Sequence, residues 1–160
     1  MTLLWENRKI SIAEYCDLNE NDPDHRYEYI DGQVYMRPIE HVRHAVIGAN
    51  VGYLLGKGLK ASPCVAYGSM AWVQLAETRY VYPDLTVSCD PQNCGKKDDA
   101  QTVQCPCLVV EISSPHTQAH DRGIKVEIYQ ACPTMQAFLL VETEIPQVRL
   151  YRRESNNRWI

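Results

Sequence analysis

Two carboxylates and a lysine stand out as residues that could do chemistry together. Glu111 lies near the end of "CLVVEI", Cys107 to Ile112, a run so apolar that both faces of the strand it predicts should be buried. A buried carboxylate is costly unless it is paired or holds a metal. Asp84 lies in "RYVYPDLTVSC", a strand pattern with Pro83 inside it. Proline within a strand marks an edge, a bulge or a strand start, and bulges re-aim side chains beside active sites. If the two strands are neighbours, Asp84 and Glu111 reach one point. Lys125 follows on a predicted helix, after Ser113, Ser114 and Pro115. Hard carboxylate oxygens hold Mg2+ while leaving it several waters. Such an ion lowers the pKa of a water and offsets charge on a phosphoryl oxygen, and an ammonium group beside it can orient that water or stabilise the transition state. Each residue also has a plainer reading. A strand-end carboxylate pointing into water accounts for Asp84 about as well. Asp121 and Lys125 are four apart, suiting a surface ion pair of roughly 0.3–0.5 kcal/mol, which helix geometry alone favours.

The elements that must position these residues read clearly at the N-terminal side. Residues 11–20 predict a short amphipathic helix, with Ser11 as N-cap, Glu14 closing a capping box, and Ile12, Tyr15 and Leu18 on one face. "RYEYIDGQVYMRP" predicts a hairpin turning at Asp31-Gly32, with Tyr27 and Tyr29 on one face and Glu28 and Ile30 on the other. Residues 40–60 carry Ile47, Val51, Leu54, Leu55 and Leu59 at helical spacing. Gly48, Gly52 and Gly56 recur along another face of this helix, which implies close approach of a second element and a tightly packed core helix. "GYLLGKG" is one residue short of a phosphate loop and lacks the Ser/Thr after its lysine. Strand-like runs follow at about 64–76, 79–89, 105–113 and 137–152, the last as a hairpin turning near Glu144–Pro146. "DPQNCGKKDDAQTVQ" reads as a polar surface loop, and residues 119–132 as a helix with Ile124, Ile128 and Ala131 inward and Pro133 beyond its end. The order predicts an α/β or α+β fold whose mixed sheet is flanked by helices.

At 160 residues the chain is most simply one domain, 1–160, large enough to bury a core without staples. No apolar run approaches the roughly 20 residues that span a bilayer. "MTLLWENRKIS" lacks the basic and small-residue flanks of a signal peptide, so a cytoplasmic protein with no membrane partner is expected. Seven cysteines make an odd number, which argues against a disulfide framework. Cys89, Cys94, Cys105 and Cys107 cluster, but their C-x4-C and C-x-C spacings fit zinc ribbons poorly. The net charge of −4 means that any nucleic-acid surface has to be local.

"YEYIDGQVYM", a helix carrying His44, "YVYPDLTV" and "PCLVVEISSPHTQAHDRGIKVEIY" together resemble the Uma2 family, over about Tyr27 to Arg153. That family is similar to the PD-(D/E)XK nuclease superfamily. The resemblance implies a restriction endonuclease-like fold, a mixed central β-sheet flanked by helices, and a Mg2+- or Mn2+-dependent endonuclease acting on DNA. It makes Asp84 and Glu111 metal ligands, adds the carbonyl of Ile112 to them, and makes Lys125 the polar catalyst. Glu28 becomes an additional acidic residue of the site. His44 matches a histidine recurrent in the family, with no role assigned. The lysine usual two positions after the glutamate is Ser113 here, and Lys125 takes its place from the next helix. The resemblance further implies a homodimer and a strand or helix continuing beyond "RRESNNRW". The displaced lysine and the acidic net charge keep a second reading open, a catalytically silent module of the same fold that binds nucleic acid or a protein partner. Fold analogy alone does not decide between them.

Overall fold

The computed structural model describes residues 2–4, 8–91, 102–114 and 123–160. Its first sheet grows around the predicted hairpin. Strands β2 (Tyr27–Ile30) and β3 (Gln33–Met36) pair in antiparallel register across a turn in which Asp31 and Gly32 take φ of 51° and 94°. Two successive positive φ values give the turn a twist that matches its strands. The short β1 (Thr2–Leu4) joins one side, and β6 (Arg79–Val81) and β5 (Val73–Ala76) the other, in the order β1-β3-β2-β6-β5. Helix α1 (Ile12–Asn21) starts at the predicted cap: Glu14 N–H donates to Ser11 Oγ, and the Glu14 carboxylate accepts from Ser11 N–H. It buries Tyr15 against Tyr27, Tyr29 and Val34 on the outer face of this sheet.

The second sheet is mixed, ordered β10-β9-β8-β7-β4. It contains β4 (Val65–Gly68), β7 (Leu85–Ser88), β8 (Pro106–Ser113), β9 (Ala137–Glu142) and β10 (Val148–Arg152). Strands β8 and β9 run parallel and the other pairs antiparallel. A parallel pair needs a crossover, and helix α3 (Ile124–Ala131) lies between these two in sequence. On one face Val110, Ile112 and Leu85 pack against Ile47, Val51 and Leu55 of helix α2 (Val42–Gly58). On the other, Val109 and Phe138 join Ile128 and Tyr129 of α3 and the inner face of the first sheet, through Ile30, Tyr35, Val73 and Val81. The layers therefore run α2, mixed sheet, α3 with the antiparallel sheet, α1. The expected mixed sheet with flanking helices is present, and a second, antiparallel sheet stands beside it.

Several local expectations are corrected. The run 79–89 is two strands in different sheets, β6 and β7, because the chain crosses between sheets at Tyr82-Pro83-Asp84, where proline cannot donate to a ladder. The run 64–76 divides likewise into β4 and β5. Helix α2 is packed on one face only: Gly48 and Gly52 lie against Ile112 and Leu85, but Gly56 has open space beside it, and Leu54 is exposed. Ala131 is exposed rather than inward. Within the predicted surface loop, Val103 is buried and exchanges backbone hydrogen bonds with Trp72 and Gln74; Cys94 and residues 92–101 lie outside the described residues, as does Asp121. Contrary to the odd-cysteine argument, Cys64 and Cys89 form a disulfide. The β4–β7 register pairs Val65 with Ser88 and so sets these cysteines opposite each other.

Candidate active site

Where the two sheets meet, each contributes an acid from its inner face. Glu111 shares its face of β8 with Val109, which turns it toward α3. Glu28, beside Ile30 on the inner face of β2, is fully buried. Helix α3 sends Lys125 between them. Its Nζ donates to Glu111 Oε1 at 2.9 Å and lies 3.1 Å from Glu28 Oε1, and its side chain is 2% exposed. Lys125 thus forms a buried ion pair with two acids; Asp121, the partner that helix geometry favoured, lies outside the described residues. Tyr129, one turn further along α3, donates its hydroxyl to the same Glu111 oxygen. A charge is stable in such a place only when paired and hydrogen-bonded, and Glu111, Glu28 and Lys125 meet that condition together.

The sheet crossover fixes Asp84. Glu28 Oε1 accepts the Tyr82 N–H at 3.0 Å, and Arg37 Nη1 donates to the Tyr82 carbonyl, so site side chains satisfy both backbone groups of the residue before Pro83. Asp84 follows, one step beyond the ladder that pairs Leu85 with Val110, which carries it to the level of Glu111. Its Oδ2 accepts the N–H of Ile112 at 2.6 Å, and its Oδ1 accepts from Arg37 Nη2 at 2.8 Å. His44, in the first turn of α2, sets Nε2 3.1 Å from Asp84 Oδ2 and 3.8 Å from Glu40 Oε2, in ion-pair contact without hydrogen-bond alignment. Burial alone would push the Asp84 carboxyl up, but His44, Arg37 and the Ile112 N–H outweigh it and hold it down at about 2. For His44, burial works against the charged ring, and the contact with Asp84 more than reverses that, raising its pKa.

Asp84, Ile112, Arg37 and His44 line a cleft of about 560 Å3 beside α2, with Arg26 and Glu40 at its walls. All four candidate catalytic residues from the sequence therefore lie around the junction of the two sheets. Sequence reading gave no role to three groups: Arg37, Tyr129 and the backbone of Tyr82. Tyr129 was findable, since it follows Lys125 by four and shares its helix face. Arg37, a single arginine at a strand end, was not. Ser113, at the position where lysine is usual, is buried, and its hydroxyl lacks a hydrogen-bond partner among the described residues.

Among the described residues no three His, Cys, Asp or Glu side chains form a ready-made metal cage. Two carboxylates and a backbone carbonyl do not require one, because Mg2+ keeps several waters and takes few protein ligands. The donors at hand are all hard oxygens, which suits such an ion. No helix among the described residues is long and apolar enough to cross a membrane.

Residues 12–160 match the Uma2 family, described as "Putative restriction endonuclease". Two uncharacterized proteins of Synechocystis sp. are similar to the chain: slr1290 is 33% identical over 95% of this chain and 78% of its own length. The second, sll1609, is 23% identical over 100% of this chain and 90% of its own. A crystal structure from Anabaena variabilis, titled as "a putative nuclease belonging to DUF820", superimposes with a TM-score of 0.72 at 18% identity, covering 94% of this chain and 83% of that one.

Proposed function

The chain belongs to the Uma2 family, and from that premise we propose that it is a Mg2+- or Mn2+-dependent endonuclease that hydrolyses phosphodiester bonds in DNA. The observation that carries the proposal is Lys125. A lysine buried to 2% exposure and shared between Glu111 and Glu28 supplies the ammonium group that Ser113 cannot. Asp84, Glu111 and the Ile112 carbonyl would hold the ion, which when bound supplies an acidified water and neutralises phosphoryl charge. Lys125 stands on the Glu111 carboxylate, where its ammonium can orient a water or meet charge that develops on a phosphate oxygen. Tyr129 fixes the same carboxylate from the helix, and His44 holds Asp84 from the cleft side. Glu28 orients Lys125 and at the same time secures the Tyr82 turn that presents Asp84. We further expect a homodimer located in the cytoplasm, with one nuclease-fold domain over residues 1–160.

Supercoiled plasmid incubated with the purified protein in Mg2+ or Mn2+, beside Glu111→Gln prepared identically, tests this reading. Metal-dependent nicking that vanishes in the variant is the expected outcome. Equal nicking by both proteins would expose a contaminant. No nicking by either, with no metal bound in calorimetry, would favour the silent binding module, in which the same acids and bases serve only to lock the two sheets together.

A further inference from the structure

The reading above gives Arg37 no task, yet its position is a specific one. The guanidinium is forked between the Tyr82 carbonyl, which accepts from Nη1, and Asp84 Oδ1, 2.8 Å from Nη2, with Glu40 Oε1 at 3.9 Å. Its side chain is 12% exposed and lines the cleft. Burial disfavours its charge, but the carboxylates of Asp84, Glu28 and Glu111 together outweigh that and keep it firmly protonated. It therefore stands on Asp84 where a divalent cation would, as that carboxylate's counter-ion.

We propose that Arg37 is the phosphodiester-binding arm of the cleft, held on Asp84 as its counter-ion and released from it when a divalent cation takes that carboxylate. This rests on the metal-site reading given above. A cation on Asp84 removes the attraction that holds Nη2 and repels the guanidinium from close range. The Tyr82 carbonyl still holds Nη1, so the group pivots at the cleft wall. What it then offers to the cleft is a planar, permanently charged fork, whose geometry matches two oxygens of a phosphodiester. Arg26 stands on the same cleft, so a nucleic-acid backbone entering there meets a second guanidinium. The anion is recognised by charge and fork geometry, without reference to base sequence.

Two titrations test the proposal on wild type, Arg37→Met, Arg37→Lys and Asp84→Asn: Mn2+ followed by calorimetry, and a short fluorescein-labelled single-stranded DNA followed by anisotropy in Ca2+. Removing the competing charge should tighten Mn2+ binding by about tenfold in Arg37→Met. Arg37→Lys keeps the charge and should stay within about twofold of wild type, while losing the fork and with it much of the DNA affinity. Arg37→Met should bind the DNA weakest. Mn2+ binding by folded Arg37→Met that equals or falls below wild type would overturn the proposal, because a merely structural arginine gives no tightening. DNA binding by Arg37→Lys equal to wild type would also overturn it, and decides the matter if Arg37→Met does not fold. Asp84→Asn separates the two levels. If it loses Mn2+ while Arg37→Met is unchanged, only the role of Arg37 fails. If Asp84→Asn binds Mn2+ as wild type does, or no protein binds it, the metal-site reading fails and the proposal with it.

Discussion

Lys125 shows how a charge can be safe inside a protein. Two carboxylates hold it in the buried junction, where it neutralises part of the repulsion between Glu28 and Glu111. Truncating one partner of such a network leaves the others charged and unpaired, which costs about 3–5 kcal/mol. Lys125→Met should therefore lower unfolding stability by about that much in urea melts. The further change Glu28→Gln should restore part of the loss by removing one stranded charge, though it weakens the acceptor for the Tyr82 N–H. A single variant as stable as wild type would mean that the three groups are not charged together. At this scale the sequence was informative in proportion to how improbable a residue was in its surroundings. Glu111 in an apolar strand and Asp84 behind a proline declared themselves. Lys125 was drawn in by its resemblance to the family rather than by its surroundings, because helix spacing sees only its own helix, and β2, which brings Glu28 to it, is distant in sequence.

Helices and turns were legible because their signals are local. The Ser11 capping box and the Asp31-Gly32 turn depend on residues within a few positions, and both are where the spacing puts them. Sheet membership depends on partners far along the chain, so 64–76 and 79–89 each look like one strand while the chain is changing sheets. The turn also carries a joint that sequence does not show: Asp31 accepts from Thr78 Oγ1 at 2.7 Å and from Arg79 Nε and Nη2, pinning the hairpin to β6. Arg79 and then Thr78 hold the Asp31 carboxyl below its usual range. A pKa depressed in the folded state gives stability that is present above the unfolded carboxylate value and lost as pH falls through the folded one. Thermal melts from neutral to strongly acidic pH should thus show a shallower decline for Asp31→Asn than for wild type, below about pH 4. Asparagine tolerates the positive φ at this position, so the turn itself survives the change. Parallel declines would place the acid sensitivity elsewhere.

The molecule as a whole leaves one face unaccounted for. Opposite its packed side, α2 carries Val42, Val46, Ala49 and Tyr53 in one stripe; all four are exposed, Val42 to 81% and Tyr53 to 69%. Sequence reading took this helix for core because Gly48, Gly52 and Gly56 recur on it as though a second element lay close, and only the fold shows that nothing among the described residues covers this face. The stripe is symmetric in a way that suits a second copy. Laid antiparallel on its twin about a two-fold axis, α2 sets Val42 against Tyr53 and Val46 against Ala49, since both pairs share one midpoint. The same alignment brings Ile39, 95% exposed, to the open space beside Gly56. A two-fold interface requires such self-complementarity, in which the contact from one subunit is repeated by the other. The net charge of −4 spread over the molecule does not help two copies meet, so apolar burial has to carry the association. Light scattering behind gel filtration should find a dimer at micromolar concentration, and Val46→Asp should make it a monomer with an unchanged melting temperature, because the side chain is exposed in the isolated fold. A monomeric wild type, or a Val46→Asp dimer as tight as wild type, would rule out this face as the contact.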